Sequence, residues 1–483
     1  MKKPVLVTTS IAYVNSVPHL GFTMELIQAD VIARWHKKKG HEVFFLTGTD
    51  EHGLKISQRA KQKNCNPQDW CNQISTKYRD LSKKLNISNN DFIRTTEKRH
   101  ISGAKKFWEK IVKNLEMRKF SGNYCIGCEN FLTEKDLIEG KCSIHFSKPE
   151  KISEENYFFK LSNFSKKILG IIKNNEIEIL PSFRKNEILQ LLKTGLHDVS
   201  FSRPTKKLDW GITVPNDQDQ KMYVWCDALT NYISALGFTE KSEKFKKFWE
   251  KAEVWHFIGK DILRFHAGIW PGMLLAAGLK LPNKICVHGF LTNEGQKMSK
   301  TLGNVVDPFK ILEIFSNDPD PLRYFLIAEI PFGRDADFSV NRLLEIYHSH
   351  LANGIGNLVS RVTKLAKKVN AKVTKKITEK YLIDKVSNLS EKIDTKMKNC
   401  EISLAISEIW NLINFLNVDI ENKKPWKEIK QNPDATKKNL ENWITAIEKI
   451  SENLEIFLPD LSQKIKNKID NFSEEILFPR IIK

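Results

Sequence analysis

Cys125 and Cys128 are followed by Cys142 and His145, two ligand pairs with two residues inside each. Thiolate and imidazole donors in that pattern suit a tetrahedral Cys3His zinc site. Four protein ligands leave no open position for a reacting water, so such a site reads as structural, and Gly127 suits a tight turn around the metal. A second set is spread along the chain. His19 stands in Pro18-His19-Leu20-Gly21, just ahead of a helix-like run, where a helix start favours a phosphate. Gly21, without a side chain, would let a base or ribose lie against the backbone. Lys297 and Lys300 stand in Lys297-Met298-Ser299-Lys300, a loop able to close over phosphates as charge develops on them.

These groups need a frame. Residues 5–9 read as a buried strand, about 21–39 as an amphipathic helix, and 42–50 as a second strand ending in a polar loop. Strand, helix, strand is a right-handed βαβ unit, and ligands bind at the carboxyl ends of such strands, which places His19 and Asp50 on one rim. The pattern changes over 115–202, where the Cys/His cluster falls. Residues 254–261 and 284–289 read as two more strands, and from about 340 onward the chain is helical.

The chain has 483 residues, 41% of them hydrophobic, enough for several domains and a real core. No apolar run of about 18 residues marks a membrane span, and no signal peptide is evident, so a cytoplasmic protein is expected. The formal charge of +19 suits a polyanionic partner. It also fits a biased composition, because 63 of the 77 basic residues are lysine. The excess is densest over 351–400, with twelve Lys/Arg against four Asp/Glu. Eight cysteines without a secretory signal point to metal ligands or buried thiols rather than disulfides.

The His19 and Lys297–Lys300 motifs, in this order and within α/β patterning, resemble the nucleotide-binding pair of the class I aminoacyl-tRNA synthetases. Neighbouring residues narrow the resemblance to the methionyl-tRNA synthetases. It implies a Rossmann-type parallel sheet split by a zinc-bearing insertion and followed by an α-helical anticodon-binding bundle. The expected divisions are 1–114 and 203–290 for the sheet domain, 115–202 for the insertion, 291–345 for a linker with the lysine loop, and 346–483 for the bundle. The implied reaction is ATP-dependent ligation of methionine to its cognate tRNA through methionyl-adenylate. The implied catalytic groups are His19, Lys297 and Lys300, with Gly21 beside them at ATP. Ser10, Ile11, Tyr13, Asp50, Trp225, Ala228, Leu229, Tyr232 and His266 match the methionine pocket, with Asp50 holding the ammonium group. Asn357, Arg361 and Trp426 match the anticodon readers, on initiator and elongator methionine tRNA alike. The implied cofactors are one structural zinc and magnesium with ATP, and a monomer is expected. One position departs from the family's His-x-Gly-His: Phe22 replaces the last histidine and cannot donate to phosphate. Activity with compensation from elsewhere is the expectation. The rivals are a class I synthetase for another amino acid, such as cysteine, and a non-catalytic RNA-binding relative.

Overall fold

The computed structural model describes residues 2–125, 130–132, 136–143, 146–297 and 304–481. At its centre is a sheet whose pairings are all parallel. Strands β1 (Val5–Thr9), β2 (Ala12–Tyr13), β3 (Val43–Asp50) and β4 (Asp91–Arg94) come from the start of the chain. Strands Glu178–Leu180, Glu253–Gly259 and Lys284–His288 come from later. Val5 pairs with Val43 on one side and Glu253 on the other. From β1 the order runs outward through β3 in one direction. In the other it runs through Glu253–Gly259, Lys284–His288 and Glu178–Leu180. The order therefore reverses at β1, and the crevice beyond its carboxyl end is the place for a ligand.

The sheet is buried on both faces. Val5 and Val7 join one apolar cluster and Leu6 the other, the two-residue alternation of a strand. Helix α1 (Leu20–Lys38) follows β1 and forms where the sequence predicts it, but it is not amphipathic. Fifteen of its nineteen residues are buried, because the sheet covers one side and helix Asp320–Ala328 another.

The stretch 115–202 builds a separate antiparallel sheet, in the order Val199–Ser200, Glu150–Phe159, Leu115–Cys125, Asn130–Leu132. It is not wholly apart from the parallel sheet, since Glu178–Leu180 returns to it as an edge strand against Lys284–His288.

Helices Asn357–Val369, Ile402–Lys423, Pro433–Leu454 and Pro459–Asn471 form the carboxyl-terminal bundle. Ile402, Ala405, Ile406, Ile409, Ile413, Leu416 and Ile420 give the second helix its buried stripe at helical spacing. The bundle core is continuous with the core on the α1 side of the sheet. A fully buried arginine crosses that junction. Arg323 donates to the Phe457 carbonyl at 3.0 Å, the Leu85 carbonyl at 3.1 Å and Asp30 Oδ2 on α1 at 2.8 Å. Burial alone would raise the Asp30 pKa, but Arg323, Arg34 and Ser88 hold it below the usual carboxylate value. Among the described residues no helix is long and apolar enough to cross a membrane.

Candidate active site at the carboxyl edge of the sheet

His19 is the N-cap of α1, in extended backbone, and its Nδ1 accepts the Gly21 N–H at 3.1 Å. An imidazole nitrogen that accepts carries no proton, so in the neutral ring Nε2 is the donor. The exposed ring thus presents an N–H at the positive end of a helix whose first turn has no acidic residue. Gly21 has a use beyond access for a nucleotide. A Cβ there would stand 3.0 Å from the His19 ring, so the ring would have to give by a few tenths of an ångström to keep the cap. Phe22 turns into the core. It is 8% exposed, edge-on to Tyr78 with centroids 5.1 Å apart, and serves packing.

Beside this helix start, one buried carboxylate ties three elements together. Glu25 Oε1 accepts both the N–H and the hydroxyl of Ser10 at 2.7 Å, and Oε2 meets His288 Nε2 at 2.8 Å. Burial disfavours charge on His288, but the Glu25 carboxylate outweighs it and raises the imidazole pKa above its ordinary value. The Ser10 N–H is shared; it also donates to the Phe257 carbonyl at 2.8 Å, where β1 meets Glu253–Gly259.

Asp50 ends β3 and is 7% exposed, and its carbonyl accepts the Val14 N–H at 3.0 Å. β2 pairs Tyr13 with Asp50, so both sit on the same edge. Ile11 and Tyr13 pack partly buried against the core. The next residue, Glu51, is fully buried and takes two bonds from Arg94, at 2.7 and 2.9 Å. The strand end is therefore fixed.

Trp225, Ala228 and Leu229 lie on helix Val224–Leu229 and Tyr232 on helix Asn231–Ser234. Trp225 stacks on Phe265 at 3.8 Å and meets His266 edge-on. His266 Nδ1 donates to the Ile262 carbonyl at 3.1 Å, so Nε2 must accept the Tyr232 hydroxyl at 2.7 Å. Burial pushes the His266 pKa down to about 4 and keeps it neutral. Of the sequence-predicted wall, Trp225, Tyr232 and His266 thus come together in the structure.

Burial also lowers the pKa of His256 well below its ordinary value and that of His36 to about 3. Neither ring nitrogen of His36 has a hydrogen-bond partner. For a histidine whose folded pKa is depressed, stability is full above the unfolded value of about 6.5 and is lost as pH falls below it. Four histidines, His36, His256, His266 and the half-buried His350, act this way and His288 acts oppositely, so the denaturation midpoint is expected to fall as pH drops from 6.5 to 4.5. His36→Leu should flatten that slope by about 1.4 kcal/mol per pH unit, and an unchanged slope in urea titrations would count against the neutral assignment.

The lysine motif begins on a hairpin that pairs Thr292 with Lys297. Glu294 and Gly295, both with positive φ, form its two-residue tip. Asn293 Nδ2 donates to the Asn304 carbonyl at 3.1 Å, so the two flanks of 298–303 lie together. Lys300 is outside the described residues, as are Cys128 and His145. Among the described residues no three His, Cys, Asp or Glu side chains gather as a metal site. Cys125 and Cys142 are both buried in one small cluster with Leu132.

In the bundle, Arg361 and Trp426 come together: the guanidinium carbon lies 4.8 Å from the centre of the indole. Asn357 is exposed one turn before Arg361 on helix Asn357–Val369. Arg361 also bonds Glu421 at 2.9 Å.

Sequence reasoning missed Glu25, His288, His52, His100 and Asp227. The one local signal was Glu25, a carboxylate next to Met24 and Leu26 on a helix rich in apolar residues.

A family profile described as tRNA synthetases class I (M) matches residues 5–144 and 115–363. The methionine–tRNA ligase of Rickettsia bellii is 40% identical over 100% of this chain and 95% of its own length. That of Caldanaerobacter subterraneus is 42% identical over 88% of this chain and 67% of its own length. Among solved structures, the Mycobacterium tuberculosis methionyl-tRNA synthetase in complex with methionyl-adenylate superposes with a TM-score of 0.92 at 33% identity. It covers 99% of this chain and 100% of that one.

Proposed function

Because this chain belongs to the methionine–tRNA ligases of the class I tRNA synthetases, we propose that its sheet edge divides their reaction among the residues described above. The chain activates methionine with ATP and charges tRNA with it. In the first step the methionine carboxylate forms a bond to the α-phosphorus, the bond to the bridging oxygen breaks, and pyrophosphate leaves with the electron pair. His19, through Nε2–H at the start of α1, stabilises charge on the phosphates. Lys297 and Lys300 supply ammonium groups over the same phosphates and withdraw for product release. Magnesium accompanies ATP as its counter-ion.

Asp50 holds the methionine ammonium group, with Ser10, Ile11 and Tyr13 at the adjoining strand end. Trp225, Ala228, Leu229, Tyr232 and His266 enclose the thioether, whose sulfur favours ring edges. The neutral His266, engaged at both nitrogens, keeps the Tyr232 hydroxyl occupied and the wall apolar. The observation that carries this reading is the shared rim: the capped His19 and the strand-ending Asp50 flank the reversal at β1. ATP–pyrophosphate exchange across the twenty amino acids tests it. Methionine alone should support rapid exchange, and no exchange with methionine would overturn the reading.

Cys125, Cys128, Cys142 and His145 would hold one structural zinc. What supports this is the burial of Cys125 and Cys142 in one cluster. The turn after Cys142 supports it too: its carbonyl accepts the Phe146 N–H at 2.8 Å, and its own N–H donates to the Ser147 carbonyl at 2.9 Å. Two cysteines buried in one apolar cluster fit a thiophilic cation, which binds them as thiolates. Metal analysis should find about one zinc per chain, and Cys142→Ala should lose most of it. Full zinc content in that variant would remove the assignment.

A further inference from the structure

The two parts of the methionine pocket come from distant stretches of sequence. Asp50 ends β3, whereas Trp225, Ala228, Leu229 and Tyr232 lie on short helices far downstream. Asp227 joins them. Its carboxylate is fully buried between two imidazoles. Oδ2 accepts from His52 Nδ1 at 2.7 Å and Oδ1 from His100 Nε2 at 2.6 Å. A carboxylate buried alone would be driven to take up a proton. Here burial is overcome by His52 and His100, and the Asp227 pKa falls to about 2.

Each imidazole is anchored in turn. His52 stands two residues beyond Asp50 and packs against Trp210, with ring centroids 5.6 Å apart. The Trp210 indole donates to the Glu51 carbonyl at 2.5 Å, and its carbonyl accepts the Gly53 N–H at 3.0 Å. His100 stands on helix Lys98–Ile111, and its Nδ1 meets Ser234 Oγ at 2.9 Å at the end of the Tyr232 helix. Gly103 permits that close helix contact, since a Cβ there would lie 2.5 Å from Cβ of Ser234.

We propose that Asp227 is a positioning residue for the amino acid: through His52 and His100 it sets the separation between the Asp50 ammonium anchor and the aromatic wall. Its carboxylate is fully buried with both oxygens taken by the imidazoles, so its effect falls on methionine affinity. Charge-assisted bonds of this kind hold geometry tightly, and a displacement of about 1 Å in a binding site is costly. The inference rests on the methionine pocket proposed above.

The test is steady-state ATP–pyrophosphate exchange on the full chain, with KM measured separately for methionine and ATP. Asp227→Asn keeps the shape and removes the charge. It should raise the methionine KM by about tenfold or more while kcat and the ATP KM stay within about threefold. His52→Asn should do the same, and the double variant should be no worse than Asp227→Asn, because both cut one linkage. Trp225→Ala serves as the control for the pocket itself. If it leaves the methionine KM unchanged, the pocket reading fails. If it raises that KM while Asp227→Asn lowers only kcat, or raises both KM values alike, the pocket stands and the positioning role is overturned. Should Asp227→Asn fail to fold, His52→Asn is read in its place with the same two outcomes.

Discussion

His19→Ala is expected to slow methionine-dependent ATP–pyrophosphate exchange by about 10²- to 10³-fold, the usual cost of deleting a preorganised donor to a developing oxyanion. The two nitrogens of His19 have different duties, which sharpens the expectation. Nδ1 caps α1 through the Gly21 N–H, whereas Nε2 is the nitrogen proposed to act on the phosphates. His19→Asn can restore the cap, because asparagine is a strong N-cap residue, but it cannot reach as far as Nε2. The asparagine variant should therefore keep wild-type stability and still lose exchange. The alanine variant should lose about 1 kcal/mol of stability as well. Wild-type exchange in His19→Asn would show that Nε2 does not act on the phosphates.

Trp426→Ala is expected to lower the kcat/KM for tRNA charging by about 10- to 100-fold while leaving pyrophosphate exchange within about twofold, as loss of one base-stacking platform predicts. Trp426 is 36% exposed, unusual for a ring of that size placed after a buried proline. One face carries the Arg361 guanidinium at 4.8 Å, an arrangement that pairs a flat apolar surface with a cation for a splayed nucleotide. Trp426→Phe should recover much of the charging rate, because it keeps a stacking face. Equal loss of charging and exchange in Trp426→Ala would make the residue part of the bundle's packing.

Much of the sheet was legible because its signals are local. The apolar run at Val5 to Thr9, the helix that follows and the strand ending at Asp50 each announce themselves within a few residues. The edge strand Glu178–Leu180 was not legible. Three residues carry too little periodicity to distinguish a parallel edge from a loop. The same contrast runs through the site. His19 and the lysine motif are contiguous words in the sequence. Glu25 and His288 meet across 263 positions, and His52 and Asp227 across 175, so only the folded chain reveals them as partners. Amphipathicity misled at α1 because the sequence cannot tell that helix Asp320–Ala328 will cover the side a surface helix leaves open. Phe22, which departs from the family word, packs against the edge of Tyr78, a contact visible only in three dimensions.

The Arg323 junction bears on how such enzymes can be recombined. Its guanidinium satisfies a main-chain oxygen at Phe457 from the bundle, another at Leu85 and a carboxylate on the helix that begins at His19. A bundle grafted from another ligase would have to supply a carbonyl at the Phe457 position, or leave part of a cation stranded in a dry interior. The bundle is therefore not a detachable cartridge in this chain, and any exchange of the anticodon-reading role expected of Asn357, Arg361 and Trp426 would have to leave this junction in place.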